Sequence, residues 1–264
     1  MIEASDGSRD VNDLQPVVCV AGMHRSGTSM VARLLNLCGV YLGSPDDLSR
    51  SGPDNQGGFW ENPDFVELND TLLALVHAGW DLPPGELEWG PRPELAASLA
   101  KAKQLIEGST VHRRWGWKDP RNSLTLPFWQ RLIPNLKVII CLRNPLEVAR
   151  SLTVRNGTSL AFGLNLWRSY NLAVCSFAAK QDRLVTHYEA YFSDPGGELR
   201  RVLGFLSIPA SDQEIDQACL TATSDLRHQQ IPREVLAVQT SPEIIGLYSK
   251  LCAEAGPVFQ ASLR

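Results

Sequence analysis

The sequence is poor in the features that mark several large protein classes. Its six cysteines, at positions 19, 38, 141, 175, 219 and 252, are widely scattered and form no CxxC pair. That argues against a zinc site of the usual spacing and against a disulfide framework, and favours reduced, mostly buried thiols. No apolar run approaches the length a bilayer demands; the longest, such as residues 16–21 and 138–142, have strand length, so no stable membrane insertion is expected. The first fifteen residues are polar and partly acidic, without the basic and apolar regions of a secretory signal. They read as a disordered lead-in to a chain that stays in the cytoplasm. Basic residues are not in excess either: 25 Lys and Arg face 29 Asp and Glu, for a formal net charge of −4. Broad electrostatic binding to nucleic acid is therefore not expected, whereas a local cationic pocket for a small anion is compatible with it.

What is present suffices for a sizeable core: 264 residues, 44% of them hydrophobic, fit one domain over residues 16–264. Residues 16–21 have the unbroken, β-branched character of a central parallel strand. Met30, Val31, Leu34, Leu35 and Cys38 then recur at helical spacing, so the chain opens as strand, glycine turn, helix. Residues 44–58, rich in Pro, Asp, Ser, Asn and Gly, and residues 79–93 read as loops. Helices are expected over 64–78, 94–106, 159–180, 197–206 and 212–224, with strands over 114–118, 137–143 and 183–186, and Asn144-Pro145 opens a further helix. No internal repeat is found. The alternation predicts a three-layer α/β/α fold with a mainly parallel central sheet and ligands at the C-terminal ends of its strands.

At the end of the first strand, Gly22-Met23-His24-Arg25-Ser26-Gly27-Thr28-Ser29 has the spacing of a Walker A loop, but Thr28 stands where that motif needs its phosphate-binding lysine. Backbone N–H groups and the positive end of the following helix still suit a phosphate, and Arg25 supplies a full charge. A glycine turn without a ligand is the bland alternative; an arginine inside the turn and two hydroxyls at the helix start are hard to attribute to packing. His24 reads as structural. A second anchor lies at the end of the strand 137–143: Arg143 is followed by Asn144-Pro145, and Ser151 comes eight residues later, two helical turns on. Either residue alone would pass as a surface ion-pair partner or an ordinary helix serine.

Together these two segments resemble the signatures of the sulfotransferases that use 3'-phosphoadenosine 5'-phosphosulfate (PAPS): a strand followed by an Arg/Lys-Ser-Gly-Thr turn, then Arg-x-Pro with a serine at this distance. The resemblance covers most of residues 16–206 and implies the P-loop-like sulfotransferase fold. It gives Arg25, Ser26, Gly27, Thr28 and Ser29 the 5'-phosphosulfate, and Arg143 and Ser151 the 3'-phosphate. Tyr188, in Val185-Thr186-His187-Tyr188-Glu189, matches a tyrosine near the adenine. It further implies PAPS as donor, 3'-phosphoadenosine 5'-phosphate (PAP) as product, no metal, and a small-molecule or carbohydrate hydroxyl as acceptor.

In-line sulfuryl transfer needs charge stabilisation on the leaving phosphate, which suits Arg25 and the turn's N–H groups, and a general base for the acceptor hydroxyl. Glu61 is the first choice, because Phe59 and Trp60 can desolvate it; a plain helix-start carboxylate is the equal alternative. Asp47 and its neighbour Asp46 come next, and His112 after them. Lys118, in a Lys-Asp-Pro-Arg segment similar to one in bacterial members, is placed to meet the sulfate or the acceptor, with a structural pair between Asp119 and Arg121 as the alternative role for those two. Arg227 is a weak candidate for a further 3'-phosphate cation. Trp60, Trp80, Trp89 and Trp129 serve equally as packing or as stacking platforms. Two rivals remain: a P-loop nucleotide kinase, disfavoured by the missing lysine, and a nucleotide-binding module without turnover.

Overall fold

The computed structural model describes residues 15–48, 58–85, 93–222, 231 and 233–263. The elements run β1 (Val17–Ala21), α1 (Thr28–Leu37), α2 (Pro45–Leu48), α3 (Pro63–Ala74), α4 (Ala96–Ser109), β2 (Gly116–Lys118), α5 (Asn122–Gln130), β3 (Leu136–Leu142), α6 (Pro145–Asn156) and α7 (Leu160–Phe177). They continue with β4 (Arg183–His187), α8 (Ala190–Ser193), α9 (Pro195–Phe205), α10 (Asp212–Cys219), α11 (Arg233–Gln239), α12 (Pro242–Glu254) and α13 (Gly256–Ala261). The strands form one four-stranded sheet in the order β2-β1-β3-β4, and every pairing is parallel.

Alternation along the strands explains the layers. Val17, Cys19 and Ala21 of β1, with Val138, Ile140 and Leu142 of β3, enter one apolar cluster with α3, α5, α6, α7 and α12. Val18 and Val20, with Ile139 and Cys141, enter a second cluster with α1, α9 and α10. Both faces of the sheet are thus covered, as a parallel sheet requires, and the strands carry unbroken apolar runs for that reason. From β1 the chain passes to β2 on one side of it, then returns across to β3 and β4 on the other. The C-terminal end of β1 is accordingly the switch point of the winding, where open α/β sheets keep their ligand crevice.

The expected helices and strands are present with shifted ends. Strand 114–118 shortens to β2, with Trp115 in an isolated bridge to Tyr41 and its carbonyl accepting from Val18 N–H (3.0 Å). Helix 64–78 stops at Ala74, because the chain turns at His77, whose φ is 55°. Helix 212–224 stops at Cys219. The loop expected over 44–58 contains the single turn α2; residues 49–57 lie outside the described ones. Helix α5 escaped the sequence pattern: Pro127 sits inside it and reads as a breaker, and nearly all its side chains are buried, which leaves no polar face to reveal a period.

Candidate functional site

The turn after β1 is shaped by its backbone. Gly27, at φ 88°, is the left-handed residue that starts α1, and Arg25 also stands in the left-handed region at φ 69°, a conformation that costs a non-glycine residue roughly 1 kcal/mol and tends to persist at functional sites. Ser26 N–H donates to the Met23 carbonyl (3.1 Å). The turn is pinned from beneath: Gly22 N–H donates to Ser123 Oγ (3.0 Å) and Asn122 Nδ2 to the Val20 carbonyl (3.2 Å). Helix α1 begins without a side-chain cap and without an acidic residue in its first turn, so its positive end is not neutralised by its own sequence. The Oγ of Ser26, 1% exposed, and Nε2 of His24 are buried without a hydrogen-bond partner among the described residues. An unpartnered buried hydroxyl is costly in a native fold and marks a place where a ligand can supply the partner.

The second anchor meets the first. Arg25 Nε donates to Ser151 Oγ (2.8 Å), and Arg143 donates through Nη1 to the Arg25 carbonyl (3.3 Å). The Arg143 guanidinium lies 4.3 Å from the centre of the Tyr188 ring. That ring packs directly against Gly27, where a Cβ would come within 2.5 Å of it. Tyr188 is held by its N–H to the Leu142 carbonyl (2.8 Å), which extends the β3–β4 ladder by one bond. Asn144 accepts from Leu146 N–H and caps α6, so Arg143 leaves the strand end just as the helix carrying Ser151 begins.

On the other flank, β2 delivers Lys118. This residue is 1% exposed, and its Nζ donates to Glu61 Oε1 (2.6 Å) and to Ser29 Oγ (3.3 Å); Ser29 Oγ in turn donates to the Phe59 carbonyl (3.0 Å). A lysine from the neighbouring strand thus reaches the first turn of α1, which lacks the Walker lysine of its own. For Glu61 the structure adds what the sequence pattern did not foresee, an ion pair with Lys118. Glu61 stands directly before Asn62, the N-cap of α3, which accepts from Asp64 N–H (3.0 Å), so it does lie at a helix start while Asn62 supplies the cap.

The remaining candidates separate by place. His112 stacks on Tyr41 with ring centres 3.5 Å apart. It precedes β2, whose N-terminal end lies opposite the turn, so it is not a base for this site. Asp46 is exposed on α2; Asp47 is in the same helix, with its side chain outside the described ones, and Trp89 and Arg227 lie wholly outside them. Trp129 is core: its Nε1 donates to Asn69 Oδ1. Trp60 packs on the α1 side of the sheet. Trp80 meets the edge of His24 (5.1 Å between ring centres), and Tyr170 stands 5.8 Å from the same imidazole while donating to the Trp80 carbonyl (2.7 Å). Burial first, then the positive charges of Arg121, Arg155, Lys118 and Arg25, push the His24 imidazole well below its usual range, so it is neutral at pH 7.

Asp119 and Arg121 do pair, at 3.0 Å. Asp119 also accepts from Asn69 Nδ2 (2.8 Å) and from Arg121 N–H (2.9 Å). Burial raises its pKa to about 6, against the pull of Arg121 and with a push from Glu61. Asn69, Asn122, Thr125, Trp117 and Trp129 complete the network through buried hydrogen bonds. It links α3, β2 and α5 directly below the turn. Sequence reasoning foresaw only the Asp119–Arg121 pair of this support; its links to Asn69, Asn122, Thr125, Trp117 and Trp129 were missed.

Comparison with known proteins agrees with this geometry. A family model described as sulfotransferase family matches residues 16–212 of the 264. Protein-tyrosine sulfotransferase A of Caenorhabditis elegans is 27% identical over 106 residues, a stretch that covers 36% of this chain and 28% of the nematode protein. Among solved structures, the sulfotransferase domain of the Synechococcus PCC 7002 olefin synthase is similar at a TM-score of 0.53 with 19% identity, over 90% of this chain and 94% of that one. A sulfotransferase from Alicyclobacillus acidocaldarius gives 0.53 with 17% identity over 93% and 98%. A mouse sulfotransferase solved in complex with PAP gives 0.50 with 14% identity over 94% and 88%. Identities this low speak for a shared fold, and it is the family match over residues 16–212 that establishes membership: the chain belongs to the sulfotransferase family.

Proposed function

We propose that the protein transfers a sulfuryl group from PAPS to a hydroxyl of a small-molecule or carbohydrate acceptor. The observation that carries this reading is the buried, unpartnered Ser26 hydroxyl at the uncapped start of α1, with Arg25 and Arg143 joined above it. Such a cradle fits a phosphate or phosphosulfate by backbone amides, a hydroxyl donor and two guanidinium charges. In the proposed complex, Ser26, Gly27, Thr28 and Ser29 hold the 5'-phosphosulfate, and Arg143 and Ser151 hold the 3'-phosphate. Tyr188, packed between Gly27 and Arg143, keeps the two anchors at a fixed separation.

Glu61 takes the proton of the acceptor hydroxyl as its oxygen bonds to sulfur and the sulfur–phosphate oxygen bond breaks. Arg25 and Lys118 stabilise the negative charge that the leaving phosphate gains. The position of Lys118 supports this division of labour, because one ammonium group contacts both Ser29 of the turn and Glu61. The partial match to a protein-tyrosine sulfotransferase adds a peptide tyrosine hydroxyl to the acceptors worth trying. The test is a screen of carbohydrate, alcohol, phenol and tyrosyl-peptide acceptors with sulfur-labelled PAPS. Labelled product in wild type that disappears in Arg25→Ala and Lys118→Ala supports the reading; transfer that persists in both variants contradicts it.

A further inference from the structure

Glu147 belongs to neither signature and has no part in the chemistry outlined above, yet it is 4% exposed one helical turn beyond Arg143. Its two oxygens go to different places. Oε2 accepts from Arg143 Nε (2.9 Å). Oε1 accepts from the backbone N–H of Ile231 (3.0 Å), 84 residues further along the chain. Ile231 packs against the same apolar cluster as α6 and α12 and stands two residues before α11. The carboxylate therefore grips the guanidinium from the helix side, while the Tyr188 face and the Arg25 carbonyl bound it elsewhere.

We propose that Glu147 is a positioning residue: one buried carboxylate sets Arg143 for the 3'-phosphate of the donor and ties that arginine to the entry of the C-terminal helices. The proposal rests on the donor reading above for the identity of the anion, but the bridge itself does not. A carboxylate satisfies both donors because each oxygen accepts; a glutamine in its place has one carbonyl oxygen for two donors and turns an N–H group toward one of them. Arg143 in that variant keeps its charge and its contacts with the Arg25 carbonyl and Tyr188 but loses the charge-assisted bond at Nε that helps to aim it, so the loss should fall on the nucleotide that carries a 3'-phosphate. Linkage makes the effect reciprocal: an anion that fixes Arg143 also fixes Glu147 and hence the Ile231 hydrogen bond.

The experiment compares PAP with adenosine 5'-monophosphate, which lacks the 3'-phosphate, by calorimetry on wild type and Glu147→Gln. Amide exchange at Ile231 is followed in parallel in wild type, Glu147→Ala and Arg143→Ala. The expected result is about a tenfold loss of PAP affinity in Glu147→Gln, the scale of one charge-assisted hydrogen bond, with the monophosphate unchanged. Ile231 should exchange faster in both alanine variants and slower in wild type on adding PAP. Equal loss for both nucleotides, or none, overturns the positioning role; exchange at Ile231 indifferent to Glu147→Ala and Arg143→Ala overturns the bridge. Wild type that binds both nucleotides equally refutes the donor reading itself, and with it the assigned anion, while the exchange comparison still decides the bridge.

Discussion

Replacing Gly27 by alanine should damage the turn after β1 twice, and the two parts can be separated. The residue sits at φ 88°, where an alanine costs about 1–2 kcal/mol in backbone strain. Its Cβ would stand 2.5 Å from Tyr188 Cδ2, an overlap that must push the ring aside, at about 1–3 kcal/mol for a buried side chain. Displacing the ring also breaks its 4.3 Å contact with Arg143. Gly157 provides the control: it ends α6 at φ 68°, and a Cβ there meets nothing within 4 Å, so Gly157→Ala should cost the strain alone. Urea unfolding followed by tryptophan fluorescence should show Gly27→Ala less stable than Gly157→Ala by about 1–3 kcal/mol, and calorimetry should show PAP binding lost in the first variant and kept in the second. Equal stability losses, together with wild-type PAP affinity in Gly27→Ala, would refute the claim that the tyrosine is locked on the turn.

Other expectations follow from the same contacts. Ser151→Ala removes a hydroxyl proposed to hold the 3'-phosphate, as well as the acceptor of Arg25 Nε, and should weaken PAP about tenfold and adenosine 5'-monophosphate by less, read by calorimetry. Glu61→Gln deprives Lys118 of its charged partner at 2.6 Å and should lower turnover about 10²-fold or more while PAP affinity stays near wild type; unaltered turnover would remove Glu61 as the base. Asp119 has a folded-state pKa raised from 3.8 to about 6. The folded protein therefore binds a proton more tightly than the unfolded one, and the Asp119 contribution to stability declines as pH rises from about 4 to 6. Chemical denaturation across that window should show the stability of wild type relative to Asp119→Asn falling as pH rises.

The fold was legible where each residue's local chemistry agrees with its place in the sheet. Residues 16–21 and 137–143 carry runs buried on both faces, and the Gly-rich turn and Asn144-Pro145 mark where strands give way to helices. Legibility failed where burial is complete or the period is short: α5 hides behind Pro127, and no expectation reached α11, α12 or α13, although Ser241 before Pro242 is a helix-start signal of the usual kind. The site divides in the same way. Contiguous signatures pointed to Arg25, Arg143 and Ser151, which the fold brings into one hydrogen-bonded group, and to Ser26 in the same turn. Contacts made across the sequence were out of reach: Lys118 on Ser29 and Tyr188 on Gly27 depend on strand order and on the register of β2 and β4 with their neighbours, and Glu147 on Ile231 joins α6 to the residues before α11, none of which a short motif encodes.

The central claim is that the turn after β1 and the end of β3 form one site for a nucleotide with phosphates at both the 5' and 3' positions. Calorimetric titration of the protein with PAP, with ATP and ADP as controls in the presence and absence of magnesium, and with Arg143→Ala as the variant, tests it most directly. The account predicts binding of PAP that is independent of magnesium, tighter than either control, and abolished in Arg143→Ala. Binding of ATP with magnesium as tight as that of PAP, or PAP binding unchanged in the variant, would contradict it.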